Sequence, residues 1–149
     1  NVIYQGYLDV VLYNETMNTF TIIDIKTSTK GWGKYAKKDE DKQFQLILYK
    51  KFFSETFNIP LENIEIEFFI VKRKLYESED YIIPRIQQFV PASGKVKMNR
   101  ATKALNEFIT KVFDKKGYAE VDHQPTPENP NNRCEWCAFY KTHLCPATF

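Results

Sequence analysis

The chain has 149 residues, 43% of them hydrophobic and with 12 Phe and 9 Tyr, which is the length of one domain with enough apolar mass for a core. Its formal charge of +2 arises from 21 basic and 19 acidic residues, so the total demands no polyanionic partner and any nucleic-acid site must be a local patch. No run approaches the roughly 20 apolar residues that span a bilayer, and no charged-then-apolar leader precedes the first strand-like segment, so a soluble protein without a membrane partner is expected.

Residues 4–13 and 19–26 are rich in β-branched and aromatic side chains and are separated by the polar stretch Asn14-Glu15-Thr16-Met17-Asn18. That pattern predicts a β-hairpin. A Gly31-Trp32-Gly33 loop and a charged run from Lys34 to Lys42 follow. Phe44, Leu48 and Phe52 then recur at steps of four beside Leu46, Tyr49, Phe53 and Phe57, which predicts a buried helix over about 39–57. Asn58-Ile59-Pro60 interrupts it. The segment Ile64 to Arg73 alternates and is apolar enough for a central strand, and residues 81–90 suggest another, with Pro84 best placed at an edge or a bulge.

Ala101, Ala104, Leu105, Phe108, Ile109, Val112 and Phe113 mark a helix over 99–116 that packs on the sheet, with Gly117 just past its end. Residues 122–133 are rich in Pro, Asn and charge and connect to a cysteine segment. The order strand, strand, helix, strand, strand, helix predicts an α/β domain, a small mixed sheet flanked by helices. One domain is expected over residues 1–149, with a core of about 1–121 and a C-terminal cysteine segment of about 122–149. The chain enters directly into Val2-Ile3-Tyr4 from Asn1, so a preceding N-terminal segment is expected to be missing.

In the predicted strand Phe20-Thr21-Ile22-Ile23-Asp24-Ile25-Lys26, side chains alternate between faces, so Asp24 and Lys26 project together. Asp9 lies about as far before the hairpin turn as Asp24 lies after it, so pairing would bring it alongside. Phosphodiester hydrolysis needs such a set: hard oxygen ligands for Mg²⁺ or Mn²⁺, and a cation near the attacking water and the scissile phosphate. Asp9 and Asp24 would hold the metal, and Lys26 would orient or deprotonate the water and offset developing charge. A lone Asp-x-Lys in a strand is more often an ion pair on a solvated face, so the company it keeps decides.

That company is Gly6-x-x-Asp9, then Asp24-Ile25-Lys26, then Gln45-x-x-x-Tyr49. In order and spacing these resemble the GxxD, (D/E)xK and QxxxY motifs of the RecB-like branch of the PD-(D/E)XK nucleases. The resemblance implies a restriction-endonuclease-like core, with Asp9 and Asp24 as metal ligands, Ile25 as a backbone-carbonyl donor and Lys26 as the catalytic lysine. It also implies that Gln45 and Tyr49, which share one helix face at i, i+4, lie near the active site and contact DNA or the lysine; the plainer alternative is that Tyr49 belongs to the core. Many such nucleases use an acidic residue or histidine from a helix upstream of GxxD, which no residue here supplies.

Trp32 and Lys34, with Tyr35, Lys37 and Lys38, combine rings that can stack on bases with ammonium groups that seek phosphate. A solvated loop and helix start would have the same composition. Lys72, Arg73 and Lys74 form a second candidate phosphate rail.

The three cysteines fall within the last sixteen residues. Three crowded thiols argue against a secreted disulfide framework and for a reducing compartment, so a cytoplasmic protein is expected, in the host cytoplasm if viral. Cys134-x-x-Cys137 followed by Cys145 can close on one metal or cluster. Taken with His143 they would make a four-ligand zinc site. The resemblance favours a [4Fe-4S] cluster instead, because AddB and the CRISPR-associated RecB-like nucleases carry three cysteines after the core and one before it. The early cysteine is absent from this chain, which fits a missing N-terminal segment. In either case the role is structural.

The expectation is therefore a Mg²⁺- or Mn²⁺-dependent deoxyribonuclease, of exonuclease type, acting in recombination, repair or phage replication, with a helicase or recombination subunit as a possible partner. Two other readings compete. A catalytically silent nuclease-like module would bind DNA without cutting it, and a thiolate-metal interaction domain would be indifferent to Asp24→Ala.

Overall fold

The computed structural model describes residues 2–75, 81–119 and 142. The chain divides into two compact units, Ile3–Glu107 and a second formed by Asn1–Val2 with Phe108–Phe149. The larger unit is built on a sheet in the order β1-β2-β3-β4, comprising β1 (Val10–Asn14), β2 (Thr19–Ser28), β3 (Ile64–Lys72) and β4 (Ile86–Phe89). Its helices are α1 (Lys34–Lys38) and α2 (Glu40–Phe57), and α3 (Lys95–Val112) begins in this unit and ends in the other. The expected mixed α/β arrangement is present.

β1 and β2 pair antiparallel, as a hairpin must, and β3 and β4 also pair antiparallel. β2 and β3 are parallel, in register from Phe20↔Ile64 to Ser28↔Lys72. Parallel neighbours need a crossover, and α1, α2 and a single 3-10 turn at Leu61–Asn63 supply it. The hairpin turn places Asn18 at φ 50°, in the left-handed region that Asn tolerates better than most residues.

The pleat sends Phe20, Ile22, Asp24 and Lys26 to one face of β2, beside Ile64, Ile66, Phe68 and Ile70 of β3. Leu46, Ile47, Leu48 and Tyr49 are all buried and join Ile22, the β3 residues, Met98 and Ala101 in one core. Four successive buried positions mean that α2 is covered on more than one side. The other face of the sheet is more open: Leu12 is 54% exposed, Ile25 44% and Ile86 44%.

Four expected boundaries shift. Residues 4–9 are outside β1, and the chain there packs on α2: the Tyr4 ring lies 5.3 Å from that of Phe52. Lys34–Lys38, read from sequence only as part of a charged run, makes a short helix with no buried residue, tied to α2 by the buried Gln43, whose Nε2 donates to the Lys37 carbonyl at 2.6 Å. The strand expected over 81–90 shortens to Ile86–Phe89, consistent with Pro84, which has no N–H for a ladder. The last helix starts at Lys95 and ends at Val112 rather than spanning 99–116. Asp114 stops it by accepting the N–H groups of Lys116 at 2.9 Å and Tyr118 at 2.8 Å, a local bond pattern that competes with helix. Gly117, at φ 88°, belongs to that following turn.

Candidate active site

The hairpin register, Val10↔Ile23 through Asn14↔Thr19, puts Asp9 opposite Asp24 when continued by one residue. Asp9 does not pair there through its backbone; its Oδ2 accepts the Ile25 N–H at 2.8 Å. That bond draws one carboxylate against the strand that carries the other. Asp24 is 4% exposed, and its neighbour on β3 is Phe68. A carboxylate in such surroundings requires a compensating charge, and Lys26, two residues on and on the same face, provides it.

Lys26 Nζ lies 2.8 Å from Asp24 Oδ2. The contact has the distance of an ion pair but lacks hydrogen-bond alignment, for Asp24 Oδ2 is a buried oxygen with no hydrogen-bond partner among the described residues. It is an ion pair nonetheless, since attraction between opposite charges depends on separation more than on angle. The directional bond from Lys26 goes elsewhere: Nζ donates to Gln45 Oε1 at 2.9 Å, and Gln45 Nε2 donates to Tyr49 Oη at 2.9 Å. The amide thus carries a relay from the helix to the lysine. Gln45 and Tyr49 occupy one face of α2, and Gln45 meets the sheet at Lys26.

Tyr49 is 8% exposed and belongs to the core as well as to this relay, so the two readings of it are compatible. Its ring packs against the backbone of Gly6, where an added Cβ would come within 2.5 Å of Tyr49 Cε1. Behind Tyr49 lies an aromatic hollow of about 430 Å³, lined by Tyr4, Gly6, Phe52 and Phe57 among others. Burial, followed by the charge of Tyr49, raises the Tyr4 pKa above that of an ordinary tyrosine. No carboxylate lines this hollow.

Two carboxylates, one with an orphaned buried oxygen, suit a hard divalent cation that completes its shell with carbonyls and water. Among the described residues no group of three or more His, Cys, Asp and Glu could enclose a metal.

Trp32 stands in the loop after β2, half-buried between Phe68 and Phe89 at centroid distances of 4.9 and 6.2 Å. Lys34 is exposed at the start of α1. Of the second basic group, Lys72 Nζ donates to the Pro84 carbonyl and Arg73 to Thr29 Oγ1, each at 2.9 Å, so both are engaged within the fold. Cys134, Cys137, His143 and Cys145 lie outside the described residues. No helix of the described residues is long and apolar enough to cross a membrane.

Sequence reasoning missed Gln87, whose side chain holds the Trp32 backbone from both sides. The signal was available: in Ile86-Gln87-Gln88-Phe89, period-two alternation puts Gln87 on the same face as Phe89, a polar residue on an apolar row. A family model described as the PD-(D/E)XK nuclease superfamily matches residues 2–146. No curated protein and no solved structure gives a significant match.

Proposed function

The chain belongs to the PD-(D/E)XK nuclease superfamily, whose members are nucleases and generally metal-dependent, and from that premise we propose that it is a RecB-like deoxyribonuclease of exonuclease type. The observation that supports this reading is Asp9 held on the Ile25 N–H, between Asp24 and Lys26 on β2, with Lys26 bonded to Gln45 and Gln45 to Tyr49. Asp9 and Asp24 would hold Mg²⁺ or Mn²⁺. The Ile25 carbonyl would join them, because a strand residue directs its N–H and C=O to the same edge, and the Ile25 N–H meets Asp9. When bound, the ion supplies Lewis acidity to the phosphodiester and to the attacking water.

The remaining chemistry belongs to side chains. An ammonium has three N–H donors; Lys26 commits one to Gln45 and keeps others for Asp24 and for the water or scissile phosphate. Gln45 fixes the direction of that ammonium, so Lys26 meets the reacting atoms in a set orientation. Its positive charge offsets the negative charge that builds on the phosphoryl oxygens.

The cysteine segment belongs to the same proposal, with Cys134, Cys137 and Cys145 as ligands of a [4Fe-4S] cluster, or with His143 of zinc; the iron and zinc content of the intact protein decides between them. A role in recombination, repair or phage replication, beside a helicase subunit, completes the reading.

The test is cleavage of labelled single- and double-stranded DNA in Mn²⁺ by the parent chain and by Lys26→Ala purified identically. The expected result is cleavage that falls by about 10²–10³-fold in the variant, the usual span for removing one fixed donor to a developing negative charge. Equal cleavage by both would assign the signal to a contaminant. Binding without cleavage by the parent would withdraw the nuclease reading.

A further inference from the structure

On the Lys26 side of Gln45 lies a second hollow of about 330 Å³, lined by Lys26, Thr27, Trp32, Asp41, Lys42 and Gln45. Its aromatic wall is held in advance of any ligand. The Trp32 N–H donates to Gln87 Oε1 at 2.7 Å, and Gln87 Nε2 donates to the Trp32 carbonyl at 3.1 Å. Gly31 makes room for this clamp: its φ is +94°, and a Cβ there would lie 2.9 Å from Gln87 Oε1. With its backbone clamped and its ring packed on Phe68 and Phe89, Trp32 offers an aromatic surface that has already lost its conformational freedom.

The charges around the hollow select the ligand. Lys26 faces Asp24, and Lys42 Nζ pairs with Asp39 at 2.6 Å. Asp41 is exposed and its carboxylate makes no ion pair or side-chain hydrogen bond among the described residues. The uncompensated charge in the lining is therefore negative. The group left free to bind is a carboxylate, so a planar group carrying N–H donors would be stacked by the ring and bonded by Asp41, while the scissile phosphate stays with Lys26. Asp41 also lies four residues before Gln45, on the α2 face that reaches Lys26, so such a ligand would sit next to the reacting centre.

We propose that this hollow is a base-recognition subsite for the nucleotide adjoining the scissile phosphate, with Trp32 as its stacking surface and Asp41 as the acceptor for an exocyclic amine. The proposal rests on the nuclease reading above for its place in the reaction, but not for the ligand class. Two consequences follow from the chemistry. A base can enter only when unpaired from its partner, so single-stranded or frayed DNA is the substrate class. Cytosine and adenine, which offer an exocyclic N–H₂, are held better than thymine, which offers a carbonyl at the corresponding position.

The test separates binding from cleavage. Affinities of labelled oligodeoxycytidylate, oligothymidylate and an abasic strand of equal length are measured by fluorescence anisotropy in EDTA, for the parent, Trp32→Leu and Asp41→Asn. Oligodeoxycytidylate is expected to bind about tenfold more tightly than oligothymidylate, the size of one charge-assisted base contact. Asp41→Asn, an exposed change outside the core, should bring the two strands within about twofold. Trp32→Leu should weaken both by about tenfold while leaving the abasic strand unchanged, as loss of one stack requires. Equal affinity of the parent for all three strands overturns the subsite, whether or not the protein cuts DNA. Base-dependent binding by a parent that cannot cleave removes the nuclease reading and leaves the subsite standing.

Discussion

Gly6 is constrained by a neighbour more than forty residues away in the chain. A methyl group at that position would meet the Tyr49 ring at 2.5 Å, and Tyr49 cannot retreat easily because it is 8% exposed within the core. Gly6→Ala is therefore expected to cost about 1–3 kcal/mol, the range for overpacking a filled interior. It should also lower kcat by disturbing the Tyr49–Gln45–Lys26 relay. Urea unfolding and steady-state cleavage measure the two effects. In a Tyr49→Leu background the same substitution should cost much less, a non-additivity expected only of residues in contact. Additive costs would mean that Gly6 acts through its backbone alone. The spacing of Gly6 and Asp9 could be read from sequence, but the ring that makes glycine necessary could not.

Among the elements, the start of α2 and the start of α3 meet at one carboxylate. Glu40 pairs with Lys97 and, at 3.1 Å, with Arg100. The Lys97 hydrogen bond, with the charges of Lys97 and Arg100, holds Glu40 below the ordinary glutamate range despite an opposing desolvation contribution. A carboxyl whose folded pKa is depressed stabilises the fold fully above its unfolded value, and that contribution is lost as pH falls through the folded one. The urea midpoint of the parent should therefore exceed that of Glu40→Gln near neutrality, and the difference should close as pH drops below the usual carboxylate range. A gap independent of pH would mean that the side chain matters for packing rather than charge. The Glu40 side chain is 35% exposed, so solvent screening keeps the effect small. α2 itself was legible because its apolar residues recur along eighteen positions; α1 was not, because five residues without a buried side chain carry no periodic signal.

For the molecule as a whole, a metal that binds only the folded chain must raise its stability. At a free Mn²⁺ concentration one hundred times the dissociation constant, the gain is about 2.7 kcal/mol, visible as an upward shift of the thermal midpoint. Asp9→Ala and Asp24→Ala should each abolish most of that shift, and chelation should reverse it in the parent. An equal shift in all three proteins would place the ion elsewhere.

The sequence by itself determined the motif residues, the hairpin that brings Asp9 toward Asp24, the helix that carries Gln45 and Tyr49, and the shared face of Asp24 and Lys26. Each of these follows from a local period, two residues in a strand or four in a helix, that neighbouring atoms impose on one another. Only the tertiary structure decided the parallel pairing of β2 with β3, the Ile25 N–H as partner of Asp9, the bond from Lys26 to Gln45, and the grip of Gln87 on Trp32 across fifty-five residues. Those contacts join elements whose approach depends on loop closure and on which side chains fill the space between them, and no local period encodes either.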